Sequence, residues 1–236
     1  LQAVKKDLIQ LSRKGFAPRA ICSHLASAEH PETKMSKQAR ILFESLVNEL
    51  SSVLPRSVEF SIANSAATFL AQDWRLSAIT QRVRPGLALY GVPPEGMTLA
   101  HDELIPVLTL DAPVVTLHHL SPGDQVGYGG RYEARQKQKV AILGVGYGDG
   151  IHRRWGEAES GATVLLRGQK VRFAGSISMD LSAVEAPDRT RVGDRAILFG
   201  PGIDPWKQAR AAGTIPYEIL TSLSPRVRRI YAECSN

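Results

Sequence analysis

Two tyrosines in this chain stand between glycines: Tyr128 within Asp124-Gln-Val-Gly-Tyr-Gly-Gly130, and Tyr147 within Gly144-Val-Gly-Tyr-Gly-Asp-Gly150. Such a loop could cradle a phosphate with its N–H groups, or present a phenol to a substrate. A dinucleotide fingerprint requires glycine at the sixth position. Counted from Gly127 that residue is Tyr132, and from Gly144 it is Asp149. A Walker-type phosphate loop is absent as well. The pattern leaves a barrel corner or a presented phenol. A phenol of ordinary pKa, near ~10, needs a neighbour to take its proton at neutral pH. Other segments carry usable chemistry. In Ala63-Asn-Ser-Ala-Ala67 a serine hydroxyl and backbone N–H groups follow a strand-like run, where an anion can be met. Arg84-Pro-Gly-Leu-Ala-Leu-Tyr-Gly91, Ser176-Ile-Ser-Met-Asp180 and Ile215-Pro-Tyr-Glu218 supply a cation, a thioether, a carboxylate and another phenol. The His118-His119 pair lacks further ligands at metal spacing and reads as a strand end, so no metal is expected.

The elements that must hold these residues change character along the chain. Residues 4–14 and 32–50 have helical apolar spacing, the second through Ala39, Leu42, Phe43, Leu46 and Leu50. Residues 19–25, 57–62 and 87–90 read as strands, and 66–71 as a short helix; this alternation implies parallel strands covered by helices. His24, in an apolar strand, reads by itself as a core histidine. After Pro93-Pro94-Glu-Gly96 come short β-branched or aliphatic runs at 107–110, 113–120, 139–144, 163–166, 171–174 and 195–199, separated by turn residues. They predict an antiparallel, barrel-like β domain. Two short helices are expected at 205–212 and 216–223, with a last strand at 229–234. The cluster Arg226-Val-Arg-Arg229 alternates with apolar residues and also reads as strand. The fold class is therefore α/β plus all-β, with a first domain over 1–98 and a β-rich domain over 99–236.

With 43% hydrophobic and 22% charged residues, the composition is that of a water-soluble globular protein, and no apolar run reaches the ~20 residues of a membrane helix. Two cysteines far apart, Cys22 and Cys234, indicate free thiols in a reducing compartment. The net charge of +6 suggests anionic partners, but its basic residues are scattered and no RRM, KH or zinc-finger signature occurs.

Taken together, Cys22-Ser-His-Leu-Ala-Ser27, Ala63–Ala67, Arg84–Gly91, Val126–Gly130, Gly144–Gly150, Ser178-Met-Asp180 and Pro216–Glu218 resemble the motifs of the alanine racemase family, in family order. The family's members are pyridoxal-phosphate enzymes of fold type III. The resemblance implies the second half of a (β/α)8, or TIM, barrel followed by a β-rich C-terminal domain. It implies interconversion of L-alanine and D-alanine for peptidoglycan and cell-wall supply, with pyridoxal 5′-phosphate as cofactor, in the cytoplasm. Tyr128 matches the tyrosine that moves a proton at the α-carbon, His24 the histidine bonded to it, and Arg84 the arginine that donates to the pyridine nitrogen. Ser65, the N–H groups of Gly86 and Leu87, and Tyr217 match phosphate ligands. Met179 matches a residue near the substrate carboxylate, and Tyr147 one lining the substrate entrance. In the family the active site is shared across a homodimer, so the implied partners are a second copy and a small amino acid, with no nucleic acid or membrane.

The resemblance is incomplete. The family's Schiff-base lysine lies in a motif resembling V-K-A-N-A-Y-G-H-G, and a later segment resembles D-T-G-M-x-R; neither occurs here. The expectation is a C-terminal part of a longer enzyme, favoured by a start at Leu1, or a natural truncated form. This chain alone is expected to be inactive. The alternative reading is a catalytically inactive pyridoxal-phosphate- or phosphate-binding or dimerisation fragment; a third, resting on charge alone, is a nucleic-acid-binding β-barrel.

Overall fold

The computed structural model describes residues 2–71, 74–97 and 104–232. The chain divides into two units, Leu1–Ile105 and Pro106–Asn236. The boundary expected at residues 98 and 99 lies outside the described residues.

In the first unit, α1 (Gln2–Arg13) buries none of its residues fully and rests on the core through Leu8. Helix α2 (Lys34–Ser51) begins where the Thr33 side chain accepts a hydrogen bond from the Ser36 N–H at 3.3 Å. That cap satisfies one of the N–H groups left over at a helix start. Phe43, Leu46, Val47 and Leu50 recur at helical spacing and form its buried face. Phe43 meets Phe60 edge to face, with ring centroids 6.5 Å apart. Phe60 belongs to β2 (Glu59–Ser61), which pairs in parallel with β1 (Ala20–Cys22) in the register Ile21 to Phe60. Helix α3 (Ser65–Phe69) follows β2, and its Asn64 cap accepts from the Ala67 N–H at 3.1 Å. Residues 87–90, expected as a strand, form a 3-10 turn, Leu87–Tyr90. Gly91 ends it in the left-handed region at φ +71°, a conformation that glycine enters without a Cβ penalty. His24 is exposed just beyond β1, so the core-histidine reading is corrected.

The second unit is built on β3 (Leu110–Leu120), β6 (Gln138–Leu143), β7 (Thr163–Leu166), β8 (Gln169–Arg172), β9 (Ser182–Glu185) and β10 (Arg195–Phe199). Their order is β8-β7-β10-β3-β6-β9, all antiparallel. A bridge between Phe173 and Val184 joins the two ends and makes the sheet barrel-like. Strand β3 is long enough to serve two partners: Leu110 to Pro113 pair with β10, and Val114 to Leu120 with β6. Residues 107–109, expected as strand, are irregular. His118 and His119 pair with Val140 and Lys139 inside that ladder, and among the described residues no group of His, Cys, Asp or Glu could hold a metal ion.

A separate hairpin, β4 (Gln125–Val126) and β5 (Tyr132–Glu133), was not foreseen because its strands are two residues long. Helix α4 (Pro205–Ala212) starts at Asp204, which accepts from the Trp206 and Lys207 N–H groups, and ends at Gly213 with φ +77°. Helix α5 (Pro216–Thr221) follows. Residues 226–232 are irregular rather than a strand, and the rest of the expected last strand, 233 and 234, lies outside the described residues. No described helix is long and apolar enough to cross a membrane.

Candidate active site

The first unit brings together Arg84, Ser65, Gly86 and Leu87. The Arg84 N–H donates to Ala63 O at 2.9 Å, laying the Arg84–Leu87 segment alongside Ala63–Ser65. The Ser65 hydroxyl, 4% exposed, then accepts from the N–H of Gly86 at 3.0 Å and of Ala88 at 3.3 Å. Ala88 was not among the residues picked from the sequence; its N–H faces the serine because residues 87–90 coil into a 3-10 turn. Leu87 is fully buried and anchors that turn. The Arg84 guanidinium spans the ends of both strands. It donates through Nη1 to Ser61 O at 3.0 Å and to the Ser61 hydroxyl, and through Nη2 to Ser23 O at 2.5 Å. Ser23 adjoins His24 in sequence. A rigid, always-charged fork held by backbone carbonyls has its direction fixed.

These donors suit a phosphorylated pyridine. One serine hydroxyl and two N–H groups from neighbouring segments match the acceptor oxygens of a phosphate, and an oriented guanidinium matches an unprotonated ring nitrogen. No carboxylate belongs to the set.

In the second unit the hairpin β4–β5 carries Tyr128 at its tip, 73% exposed. Gly127 has φ +78°, and a Cβ there would lie 3.1 Å from Ser176 N, so the glycine serves a close approach to Ser176. Ser176 in turn donates its hydroxyl to Tyr128 O at 3.2 Å. At the base, Gln138 donates to the Tyr132 hydroxyl at 2.5 Å, and that hydroxyl donates to Glu185 at 3.3 Å. Burial, chiefly, raises the Tyr132 pKa, which keeps its proton on the donating oxygen. Tyr128, Ser176, Ser178, Thr116, His118 and Ile142 line a cavity of about 520 Å³.

The segments that carry Tyr147 and Met179 are joined by backbone hydrogen bonds. The N–H of Tyr147 donates to Ser178 O at 3.0 Å, and that of Gly148 to Met179 O at 2.9 Å. Side chains at the neighbouring positions would collide: a Cβ on Gly146 would overlap the carbonyl of Met179, and one on Gly150 the carbonyl of Ser222. The glycines around Tyr147 thus permit packing inside this unit. Tyr217 sits at the start of α5, and Ser222 at its end donates to Gly150 O at 2.8 Å, tying α5 to the same loop.

Asp149 and Asp180 complete the cluster. Asp149 accepts from the Gly146 N–H at 2.8 Å. Both carboxylates meet Arg226 at 2.7 Å. The available signal was position: Asp149 stands two residues after Tyr147, and Asp180 directly after Met179.

His152 follows this loop and faces Trp155, ring centroids 6.0 Å apart. Its Nε2 is buried without a hydrogen-bond partner among the described residues. Burial lowers its pKa below 6.5, opposed by Glu218. The unfolded chain therefore binds this proton at a higher pH than the folded one, and stability must rise with pH until about 6.5. Urea midpoints measured from pH 5 to 8 should show this slope below about pH 6.5, and His152→Gln should flatten it. An equal slope in the variant would remove His152 as its source.

Comparison with known proteins fits this geometry. Residues 107–231 match the family model of the alanine racemase C-terminal domain, and residues 1–94 that of the alanine racemase N-terminal domain. The catabolic alanine racemase of Salmonella typhimurium is 37% identical over 211 residues, which cover 88% of this chain and 55% of that protein. An alanine racemase of Vibrio vulnificus is 36% identical over 219 residues, 92% of this chain and 58% of its own. Among solved structures, biosynthetic alanine racemase from Pseudomonas aeruginosa has a TM-score of 0.84 at 30% identity, over 98% of this chain and 62% of that one. The enzyme from Bartonella henselae, which carries covalently bound pyridoxal phosphate, has a TM-score of 0.80 at 32% identity, over 96% and 61%. The chain spans about half the length of the curated relatives it matches. Since the C-terminal family model alone takes in more than half of its residues, the chain belongs to the alanine racemase family.

Proposed function

We propose that this chain is the C-terminal part of a cytoplasmic, pyridoxal-phosphate-dependent alanine racemase that supplies D-alanine for peptidoglycan. Residues 1–98 would be the second half of its (β/α)8 barrel and 99–236 its β-rich domain, working in a homodimer with shared sites. The observation that carries the reading is the Ser65 hydroxyl meeting the Gly86 and Ala88 N–H groups beside an oriented Arg84.

In this reading Ser65, Gly86, Leu87, Ala88 and Tyr217 hold the phosphate. Arg84 donates to the pyridine nitrogen and, because guanidinium keeps its protons, leaves that nitrogen uncharged. When bound, pyridoxal phosphate supplies the electron sink for the pair left behind by the α-proton. Tyr128 exchanges a proton with the alanine α-carbon on one face, and its glycine-bounded tip presents the phenol to a second copy of the chain. His24 of that copy hydrogen-bonds the phenol and shares its proton, which a phenol requires to act near neutral pH. Met179 lies against the substrate carboxylate, and Tyr147 lines the way in. The absence of lysine from β1, β2 and the loops after them favours one further reading, that the 236-residue chain alone binds the cofactor without turning substrate over.

Ser65→Ala tests the phosphate site. Affinity for pyridoxal phosphate should fall about tenfold, the weight of one hydrogen bond to a charged group, while affinity for unphosphorylated pyridoxal stays the same. Equal losses for both, or none, would move the phosphate elsewhere.

A further inference from the structure

We propose that Arg226 is a positioning residue that sets the substrate entrance by fixing the Tyr147 loop and the Met179 turn with one guanidinium. The role rests on the reading of Tyr147 and Met179 as entrance residues. Arg226 Nε donates to Asp149 Oδ1 at 2.7 Å, Nη2 to Asp180 Oδ1 at 2.7 Å, and Nη2 also to Met179 O at 3.4 Å. These partners come from two segments about 30 residues apart, and Arg226 itself follows α5, which carries Tyr217. Asp149, so oriented, uses its other oxygen to hold the Gly146 N–H. Met179 O accepts from Gly148. A Cβ on Gly148 would lie 2.9 Å from Nη2 of Arg226 and 3.0 Å from Met179 O, so the loop is glycine where the arginine passes beneath it. Hydrogen bonding to Asp149 first, then to Asp180, raises the Arg226 pKa above its ordinary value. A planar fork presents Nε to one carboxylate and Nη2 to the other at a fixed spacing, whereas a lysine ammonium offers its three protons from a single nitrogen. The geometry, beyond the charge, therefore does the positioning.

Hydrogen exchange on the whole 236-residue chain tests this. In Arg226→Ala and Arg226→Lys alike, the amides of Gly146, Tyr147 and Gly148 should exchange at least tenfold faster, while those pairing β3 with β6 stay protected. With tyrosine labelled at its ring carbons, the Tyr147 signal should broaden or split in both variants. Unchanged exchange at the three amides overturns the proposal. So does recovery of wild-type protection by Arg226→Lys, which would mean that charge alone suffices, and so does equal loss of protection in β3 and β6, which would make Arg226 a general support of the unit. Tyr147→Phe and Met179→Ala keep every bond of the clamp and should leave the three amides protected. A failure of the clamp is thereby separable from a failure of the entrance reading, which those two variants probe through substrate affinity.

Discussion

No D-alanine is expected when the 236-residue chain is incubated with pyridoxal phosphate and L-alanine, beyond the amount formed by free cofactor. Chiral chromatography checks the product, and borohydride reduction followed by mass spectrometry checks for cofactor fixed to a lysine. The argument is positional. The phosphate-type donors Ser65, Gly86 and Ala88 and the guanidinium of Arg84 all lie on β1, β2 or the segments following them. Those segments, residues 20–33 and 59–97, contain no lysine. The lysines of the first unit are Lys5, Lys6, Lys14, Lys34 and Lys37, on or next to α1 and α2. Lys5 is already paired with Glu49 at 2.7 Å. A site that orients a pyridine ring without an amine to bind its aldehyde lacks the nucleophile of covalent catalysis. Enzymatic acceleration is commonly a million-fold or more, so the expected deficit is on the order of 10⁶ relative to a complete racemase. D-alanine formed well above the free-cofactor rate, with a lysine found modified after reduction, would refute this. Adding a lysine-bearing relative's segment is not needed to decide it.

The candidate site was legible as residue types in order, because loops that present side chains carry short, dense patterns. Arg84, Ser65, Tyr128, Tyr147 and Met179 all stand in such segments. What stayed hidden was long-range. Arg226 reads as part of a strand, since Arg226-Val-Arg-Arg229 alternates polar and apolar residues, yet it leaves the barrel and folds back onto two carboxylates 46 and 77 residues earlier. Periodicity describes the neighbours of a residue along the chain and says nothing of such a partner. Residues 87–90 misled for a related reason. Leu-Ala-Leu-Tyr has strand-like composition, but Gly86 and Gly91 bracket it, and a 3-10 turn delivers the Ala88 N–H to Ser65. The hairpin β4–β5 was missed because two-residue strands carry no period at all. The large β-rich barrel was more readable, since β6, β7 and β10 are runs whose alternate residues are buried or whose apolar length matches a strand.

Trp155→Ala should destabilise the β-rich unit by about 3–5 kcal/mol, the range for deleting a large buried aromatic side chain. Trp155 is 1% exposed and packs on Phe173 at a centroid distance of 6.0 Å. Its indole N–H donates to Gln208 O at 3.0 Å in the middle of α4. Gln208 is itself buried and donates to Thr163 O at 3.0 Å and Leu198 O at 3.2 Å, on β7 and β10. One ring therefore connects the turn after the Tyr147 loop, α4 and two barrel strands. Alanine removes the apolar contact and leaves a cavity that these rigid neighbours cannot close, and it also strips the Gln208 carbonyl of its donor. Trp155→Phe separates the two effects: it keeps most of the ring, loses the donor, and should cost only about 1–2 kcal/mol. Gly156, whose Cβ would overlap Gly175 O, prevents the turn from sliding to refill the space. Denaturation followed by amide exchange in β3 and β6 reads the loss in this unit alone. A cost below about 1 kcal/mol for the alanine variant would mean that α4 and the barrel are held together without Trp155. A cost for phenylalanine equal to that for alanine would place the energy in the hydrogen bond to Gln208 rather than in the packing of the ring.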